Sequence, residues 1–301
     1  MPDTQKHSTD ASKRLPTASL FVAVLAISFA AVFFRKAAPT HPLVAAGFRL
    51  AIASALLAPL ALRSIQRRSV SWRLVRTALL AGFFYGMHFG AWVSSLTMTS
   101  VAASVTLVTT TPILLAIWGS IRGSDRPGGR WWLSLGVALI GLMLIGGHDL
   151  GMGSDALFGD ILAFLGAVAM SGYMLCAKNL GKDMNLWVFS ALATFCGAVL
   201  LLGTAFLSGI PLRAASDEAL VYILLAALIP QLIGHNLITW SLGRLQPSAA
   251  AMTVVGEPVG ATFLSWLWLK ETVPSQVAIG CIVTLVAVTA AMFSTKMKNM
   301  L

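Results

Sequence analysis

Charge is scarce in this chain. Only 11% of its 301 residues are Asp, Glu, Lys or Arg, just 11 are acidic, and 57% are hydrophobic. With a mean hydropathy of +0.82, too few charges remain to coat a water-soluble globule of this length. Histidine is sparse as well. Five scattered residues supply neither the His-Glu-x-x-His of a membrane metalloprotease nor the clusters of a diiron desaturase. No Walker A stretch is present, which excludes direct ATP drive by this chain. Ala169-Met170-Ser171-Gly172 lacks the leading glycine of an intramembrane serine site. The three cysteines, Cys176, Cys196 and Cys281, fall in apolar spans without metal-ligand spacing, so they read as buried free thiols. No enzyme, metal or cofactor is expected. The alternating polarity of an outer-membrane barrel is missing too, and the loops are too short for a soluble domain.

What remains is apolar and helix-length. Ten candidate spans run 19–38, 43–62, 74–96, 99–120, 131–148, 157–177, 185–208, 219–242, 247–269 and 276–295. Most reach the ~20 residues that cross a bilayer, and each must be helical because lipid leaves no partner for an open backbone. The expected class is an all-α integral membrane protein, with the lipid bilayer as its first partner.

The basic residues report orientation. Put the N-terminus, the even-to-odd loops and the C-terminus on one side. That side carries sixteen: Lys6, Lys13, Arg14, Arg63, Arg67, Arg68, Arg73, Arg76, Arg122, Arg126, Arg130, Lys178, Lys182, Arg244, Lys296 and Lys298. The other side has four, Arg35, Lys36, Arg213 and Lys270, while Arg49 lies inside the second span. The positive-inside bias places both termini in the cytoplasm, so the net charge of +10 reflects topology rather than nucleic-acid binding. Residues 1–18 form a polar cytoplasmic tail without a cleavage site, and 296–301 form a second tail.

One stretch occurs twice. Ser95-Leu96 precedes Pro112 by seventeen residues, and 146 residues later Ser241-Leu242 precedes Pro258 by the same distance. Ala103, Val108 and Ile113 fall on Ala249, Val254 and Val259, and Asp125 falls on Glu271. Each copy, 19–148 and 157–295, would hold five spans, and an odd number of crossings inverts one half relative to the other.

The run Gly256-Glu257-Pro258-Val259, followed by Leu269-Lys270-Glu271, Gln276 and Gly280, resembles the closing signature of the EamA-type branch of the drug/metabolite transporter superfamily. Thr111-Pro112-Ile113, Gly123-Ser124-Asp125 and Gly136-Val137 with Leu142 form a weaker first copy, with Asp125 standing where that family has Glu. The resemblance spans nearly the whole chain. It implies ten transmembrane helices as two inverted five-helix repeats, and a central cavity lined by helices 1, 3, 4, 6, 8 and 9, with 5 and 10 peripheral. It further implies transport of small metabolites, often export. Within that family, Phe84-Tyr85-Gly86-Met87-His88-Phe89-Gly90-Ala91-Trp92 is similar to the branch exporting aromatic and other hydrophobic amino acids.

Ionisable groups inside spans are costly, ~2.5–3.5 kcal/mol on insertion scales, and four stand out: Arg49, His88, His235 and Glu257. Tyr85, His88 and Trp92 share a helix face, as do Gln231, His235 and Thr239. Those faces, with Thr110, are the candidate substrate cavity, and the two histidines occupy nearly equivalent places in the halves. The competing reading for each histidine is a helix-packing hydrogen bond. Arg49, near one end of its span, is expected to snorkel or pair with a backbone carbonyl, with substrate contact as the alternative. Glu257 is expected to be mainly structural, with proton coupling as the alternative. Trp72, Trp118, Trp131, Trp132, Trp187, Trp266 and Trp268 lie mostly near span ends and suit an interfacial belt. Pro112 and Pro258 are repeat mates that bend their helices, either as hinges or as static kinks.

The expected function is export of small metabolites, aromatic and other hydrophobic amino acids foremost, across a bacterial-type inner membrane by alternating access. The alternatives are a pore, or a carrier of hydrophobic cations, drugs or lipid-linked metabolites. Downhill movement without obligatory proton coupling is expected. The oligomeric state stays open, a monomer included.

Overall fold

In the computed structural model, residues 3–124, 127–146, 154–181 and 184–298 are described, and their regular structure is all helical. The elements are α1 Asp3–Lys36, α2 Pro42–Arg67, α3 Trp72–Ser95, α4 Val101–Val108, α5 Thr111–Arg122, α6 Gly129–Gly146, α7 Ser154–Leu180, α8 Leu186–Leu207, α9 Asp217–Ala226, α10 Asn236–Leu242, α11 Pro247–Val254, α12 Glu257–Leu264 and α13 Ser275–Lys298. Two π-helical segments, Ala227–His235 and Ser265–Leu269, join α9 to α10 and follow α12. Asp125, Arg126, Lys182, the end of the fifth expected span and residues 299–301 lie outside the described residues.

Local chemistry sets the helix starts. Ser71, Ser100, Asn185 and Ser216 each accept a hydrogen bond from the backbone N–H three residues on, satisfying a donor that a helix start leaves open. Pro42 and Pro247 begin α2 and α11, where their missing N–H costs nothing. Gly123 closes α5 in the left-handed conformation, with φ 66°. The polar tail continues α1 as helix from Asp3 rather than forming a separate element.

Among the described residues, six helical stretches are long and apolar enough to cross a membrane: Ser19–Lys36, Pro42–Arg67, Ala103–Arg122, Ser154–Leu180, Leu186–Leu207 and Asp217–Leu242. Gly129–Ile145 and Ser275–Ala291 are shorter apolar helices. Large apolar side chains such as Leu25, Ile121, Leu133, Met143 and Leu207 are exposed on the outside, as a lipid-facing surface requires and a water-facing one rarely tolerates. Of the tryptophans expected at the interface, Trp131 is instead buried, packed edge-on against Trp132. Among the cysteines only Cys176 is buried; Cys196 and Cys281 are half-buried free thiols.

Helices pack as partners from the two halves. α2 lies along α8, α3 along α7 and α8, and α6 along α13. Lipid tails give no hydrophobic drive for such contacts, so close backbone approach has to supply the cohesion. At the α3–α8 crossing, a Cβ on Gly86 would stand 3.1 Å from the Gly197 Cα. At the α6–α13 crossing, a Cβ on Gly280 would stand 2.6 Å from the Gly141 carbonyl oxygen, so only glycine fits.

Candidate functional site

The two proline-bearing helices break in the same way. Thr110 and Gly256 donate their N–H groups three residues back, to the Leu107 and Thr253 carbonyls, a tighter bond than the α-helical one. α5 and α12 then restart at Thr111 and Glu257, with Pro112 and Pro258 in second place. Every member of this device has its mate 146 residues away. A proline there lacks only a donor that a helix start would not use.

Between these breaks lies a cavity. Its wall is Ile27 and Ala30 of α1, His88 and Trp92 of α3, Val108, Thr109 and Thr111, Met170 and Met174 of α7, His235, Ile238, Ala251, Val254 and Glu257. Three pairs in this wall are repeat mates: Trp92 with Ile238, Val108 with Val254, and Thr111 with Glu257. The space open to water-sized molecules is about 30 Å³, far below the ~300–1,000 Å³ of sites that hold drug-sized ligands. In this conformation the cavity is closed down, and any organic cargo needs the walls to part.

Two further pairs of mates touch directly. Gln231 Nε2 donates to the Tyr85 hydroxyl at 2.8 Å, and the Phe89 and His235 rings lie 5.4 Å apart, edge to face. Both contacts join α3 to the π-helical segment. That segment contains Pro230, whose missing N–H breaks the regular ladder and favours the wider turn.

Three of the six expected cavity residues, His88, Trp92 and His235, stand in the wall. Tyr85 and Gln231 do not: both are buried behind it, joined to each other, with Tyr85 stacked on Tyr173 at 4.2 Å. Tyr173 in turn shares a 2.7 Å hydrogen bond with Thr239. Thr110 is also displaced. It occupies the break, its hydroxyl donating to the Leu107 carbonyl, and the neighbouring Thr109 and Thr111 line the cavity. His88 donates from Nδ1 to the Gly166 carbonyl at 2.9 Å, because a carbonyl can only accept, and Nε2 remains as its second polar atom. Trp92 Nε1 is buried without a hydrogen-bond partner among the described residues. Glu257, expected to be mainly structural with proton coupling as the alternative, stands in the cavity wall.

Arg49 departs furthest from expectation. It neither snorkels nor reaches a carbonyl: it is fully buried, and none of its three guanidinium nitrogens has a hydrogen-bond partner among the described residues. The guanidinium instead lies 4.2 Å from the centre of the Phe89 ring and 5.5 Å from that of Phe34. Such contacts contribute ~0.5–2 kcal/mol, whereas burying an unpaired charge costs several kcal/mol even after relaxation. Desolvation wins, so these rings alone do not account for the residue.

Residues sequence reasoning passed over include Phe89, Tyr173, Met170 and Met174. Phe89 carried one usable signal, its register with His235. The methionines are adaptable, polarisable wall material and look like any core residue in an apolar run.

The EamA-like transporter family matches the chain twice, over residues 17–147 and 157–293. Two Bacillus subtilis (strain 168) proteins are similar along most of their length. "Uncharacterized transporter YoaV" is 22% identical over 244 residues, 80% of this chain and 84% of that protein. "Uncharacterized transporter YdfC" is 26% identical over 241 residues, 79% of this chain and 77% of that protein. A solved crystal structure superposes with a TM-score of 0.76 at 17% identity, covering 94% of this chain and 98% of that one, which establishes a shared fold.

Proposed function

The chain belongs to the EamA-like transporter family, and from that premise we propose that it exports aromatic and other hydrophobic amino acids by alternating access through the cavity between its halves. It is a multi-pass membrane transporter of small molecules, not an enzyme. The finer architecture in this proposal is ten membrane-spanning helices in two inverted five-helix repeats, in a bacterial inner membrane, with both termini cytoplasmic. Residues 19–148 and 157–295 form the repeats.

The observation carrying the proposal is the mate-lined cavity. Three pairs of repeat mates line it, and a site shared by two inverted repeats can be uncovered from either side by equivalent movements of equivalent helices. The matched breaks before Pro112 and Pro258 supply candidate hinges at its wall. Trp92, Met170, Met174 and Ile238 favour a large apolar side chain, while His88, His235, Thr111 and Glu257 offer polar groups for its head.

The expectation of downhill movement rests on assigning Glu257, beside Pro258, mainly to structure. Its place in the cavity wall favours the alternative, and Glu257 becomes the proposed coupling residue.

The test is uptake into liposomes holding only this protein, across phenylalanine, tryptophan, leucine, glycine and a hydrophobic cation such as tetraphenylphosphonium. Saturable movement of the aromatic and branched amino acids, with little of glycine or the cation, supports the proposal. Preference for the cation, or flux rising linearly with concentration for every probe, overturns it.

A further inference from the structure

Arg49 is fully buried beside the site without contributing to the cavity wall. His88, His235 and Glu257 do line that wall. Phe89 touches both the cation and rings of the wall. The guanidinium lies 4.2 Å from its centre. Its other neighbours are His88 at 4.6 Å, His235 at 5.4 Å and Trp92 at 6.2 Å between ring centres.

We infer that Arg49 is the binding residue for a carboxylate on the transported molecule, and that Phe89 screens it from the cavity in the closed conformation. The inference rests on the transport proposal only in taking the cavity as the cargo's place. A guanidinium is a planar fork whose paired N–H groups match the two oxygens of a carboxylate. All three of its nitrogens lack a hydrogen-bond partner among the described residues, so it has the full set to offer. Glu257 lines the cavity without a hydrogen bond to this cation. The site therefore offers a guanidinium for a carboxylate and, at a different position, a carboxyl group that can accept from an ammonium, so a molecule carrying both groups suits it. A hydrophobic cation would meet the repulsion of Arg49 wherever it sat in the cavity.

Four probes of nearly the same shape separate the charges. These are 3-phenylpropionate with the carboxylate alone, phenylalanine with both groups, phenylalaninamide with the carboxylate masked, and phenethylamine with the amine alone. Binding to the purified protein in lipid nanodiscs is measured by calorimetry for the wild type, Arg49→Lys, Arg49→Gln and Arg49→Met. The wild type is expected to bind the two carboxylates at least tenfold more tightly than the amide and the amine. Arg49→Gln and Arg49→Met should bring all four within twofold of one another, and Arg49→Lys should keep part of the preference. The Arg49→Met protein should melt no lower than the wild type when free of ligand, since a buried unpaired charge has been removed.

Equal wild-type affinity for phenylalanine and its amide overturns the inference without any variant, even if no variant folds. Retention of the preference in Arg49→Gln overturns it too, as does failure of every carboxylate to bind the wild type. Transport in liposomes keeps the two proposals apart. If 3-phenylpropionate binds through Arg49 but no amino acid crosses, the transport proposal falls and the anion site stands. If phenylalanine and its amide cross equally well, the anion site falls and the transport proposal stands.

Discussion

The α6–α13 contact and the α3–π segment contact both join one half of the molecule to the other, yet they are built from different materials. The first is an apolar cluster of Leu135, Ala138, Leu142, Val277, Ala287, Val288 and Ala291, with backbones drawn together at Gly141 and Gly280. The second carries Tyr85, Gln231, Phe89 and His235, with Arg49 beside Phe89. Small residues and close backbones give the first contact cohesion that a wrong side chain destroys. The second holds polar groups whose burial is costly, and its packing leaves several unpaired: Arg49, Gln231 Oε1 and Trp92 Nε1. One symmetric contact holds the halves together. Its counterpart gives up stability at the place where a cargo would contribute the missing partners.

The largest expected effect falls on the cohesive side. Gly280→Leu puts a Cβ 2.6 Å from a backbone oxygen that has no flexible end to move. We expect loss of monodisperse folded protein on gel filtration, and a normally eluting, normally melting variant would show the contact to be looser than described.

Next comes the cavity wall. Trp92→Leu keeps an apolar side chain and removes the ring. Aromatic amino acid flux should drop roughly tenfold, the equivalent of losing ~1.4 kcal/mol, and leucine flux less than threefold, both normalised to folded protein. Equal losses would reduce Trp92 to a packing residue.

A smaller effect is expected at the α3–π segment contact. Tyr85→Phe leaves the buried Gln231 amide without its acceptor, at a cost of ~1–3 kcal/mol, whereas removing both partners together costs less than the two single changes added. A chemical-denaturation cycle over Tyr85→Phe, Gln231→Leu and the double variant measures this. Simple additivity would break the direct link between the halves.

The least disruptive test addresses orientation. Ser208 is exposed at the end of α8, and Ser208→Cys should be labelled by an impermeant thiol reagent from outside the cell, with no change in activity. Labelling only from the cytoplasmic face would reverse the proposed topology.

Much of this contrast was legible in the residues, for identifiable reasons. The 146-residue offset between Ser95-Leu96 and Ser241-Leu242 also relates Tyr85 to Gln231 and Phe89 to His235. Contacts between the halves thus fall on the register of the repeat. Pro112 and Pro258 announced their breaks because proline removes a fixed donor wherever it stands. Faces were harder to read. Among Thr109, Thr110 and Thr111, the residue turned from the cavity is decided by the tightened turn, which composition does not encode. Arg49 was visible as a charge in a span, but depth along a helix does not say whether a long side chain points to lipid or inward. Its neighbour Phe89 looked like any aromatic in an apolar run. Its importance arises from what stands on either side of it, and that is a property of packing.

The central claim is that the cavity between repeat mates is emptied alternately to the two sides. Counterflow tests it most directly. Liposomes containing the protein are preloaded with unlabelled phenylalanine and diluted into a trace of the labelled amino acid. Internal label should rise transiently above its equilibrium level and then decay, an overshoot absent from unloaded liposomes, because a carrier returning with unlabelled cargo brings the label in. Identical time courses with and without preloading, in protein shown to move phenylalanine, would mean a continuous pore and would contradict the account.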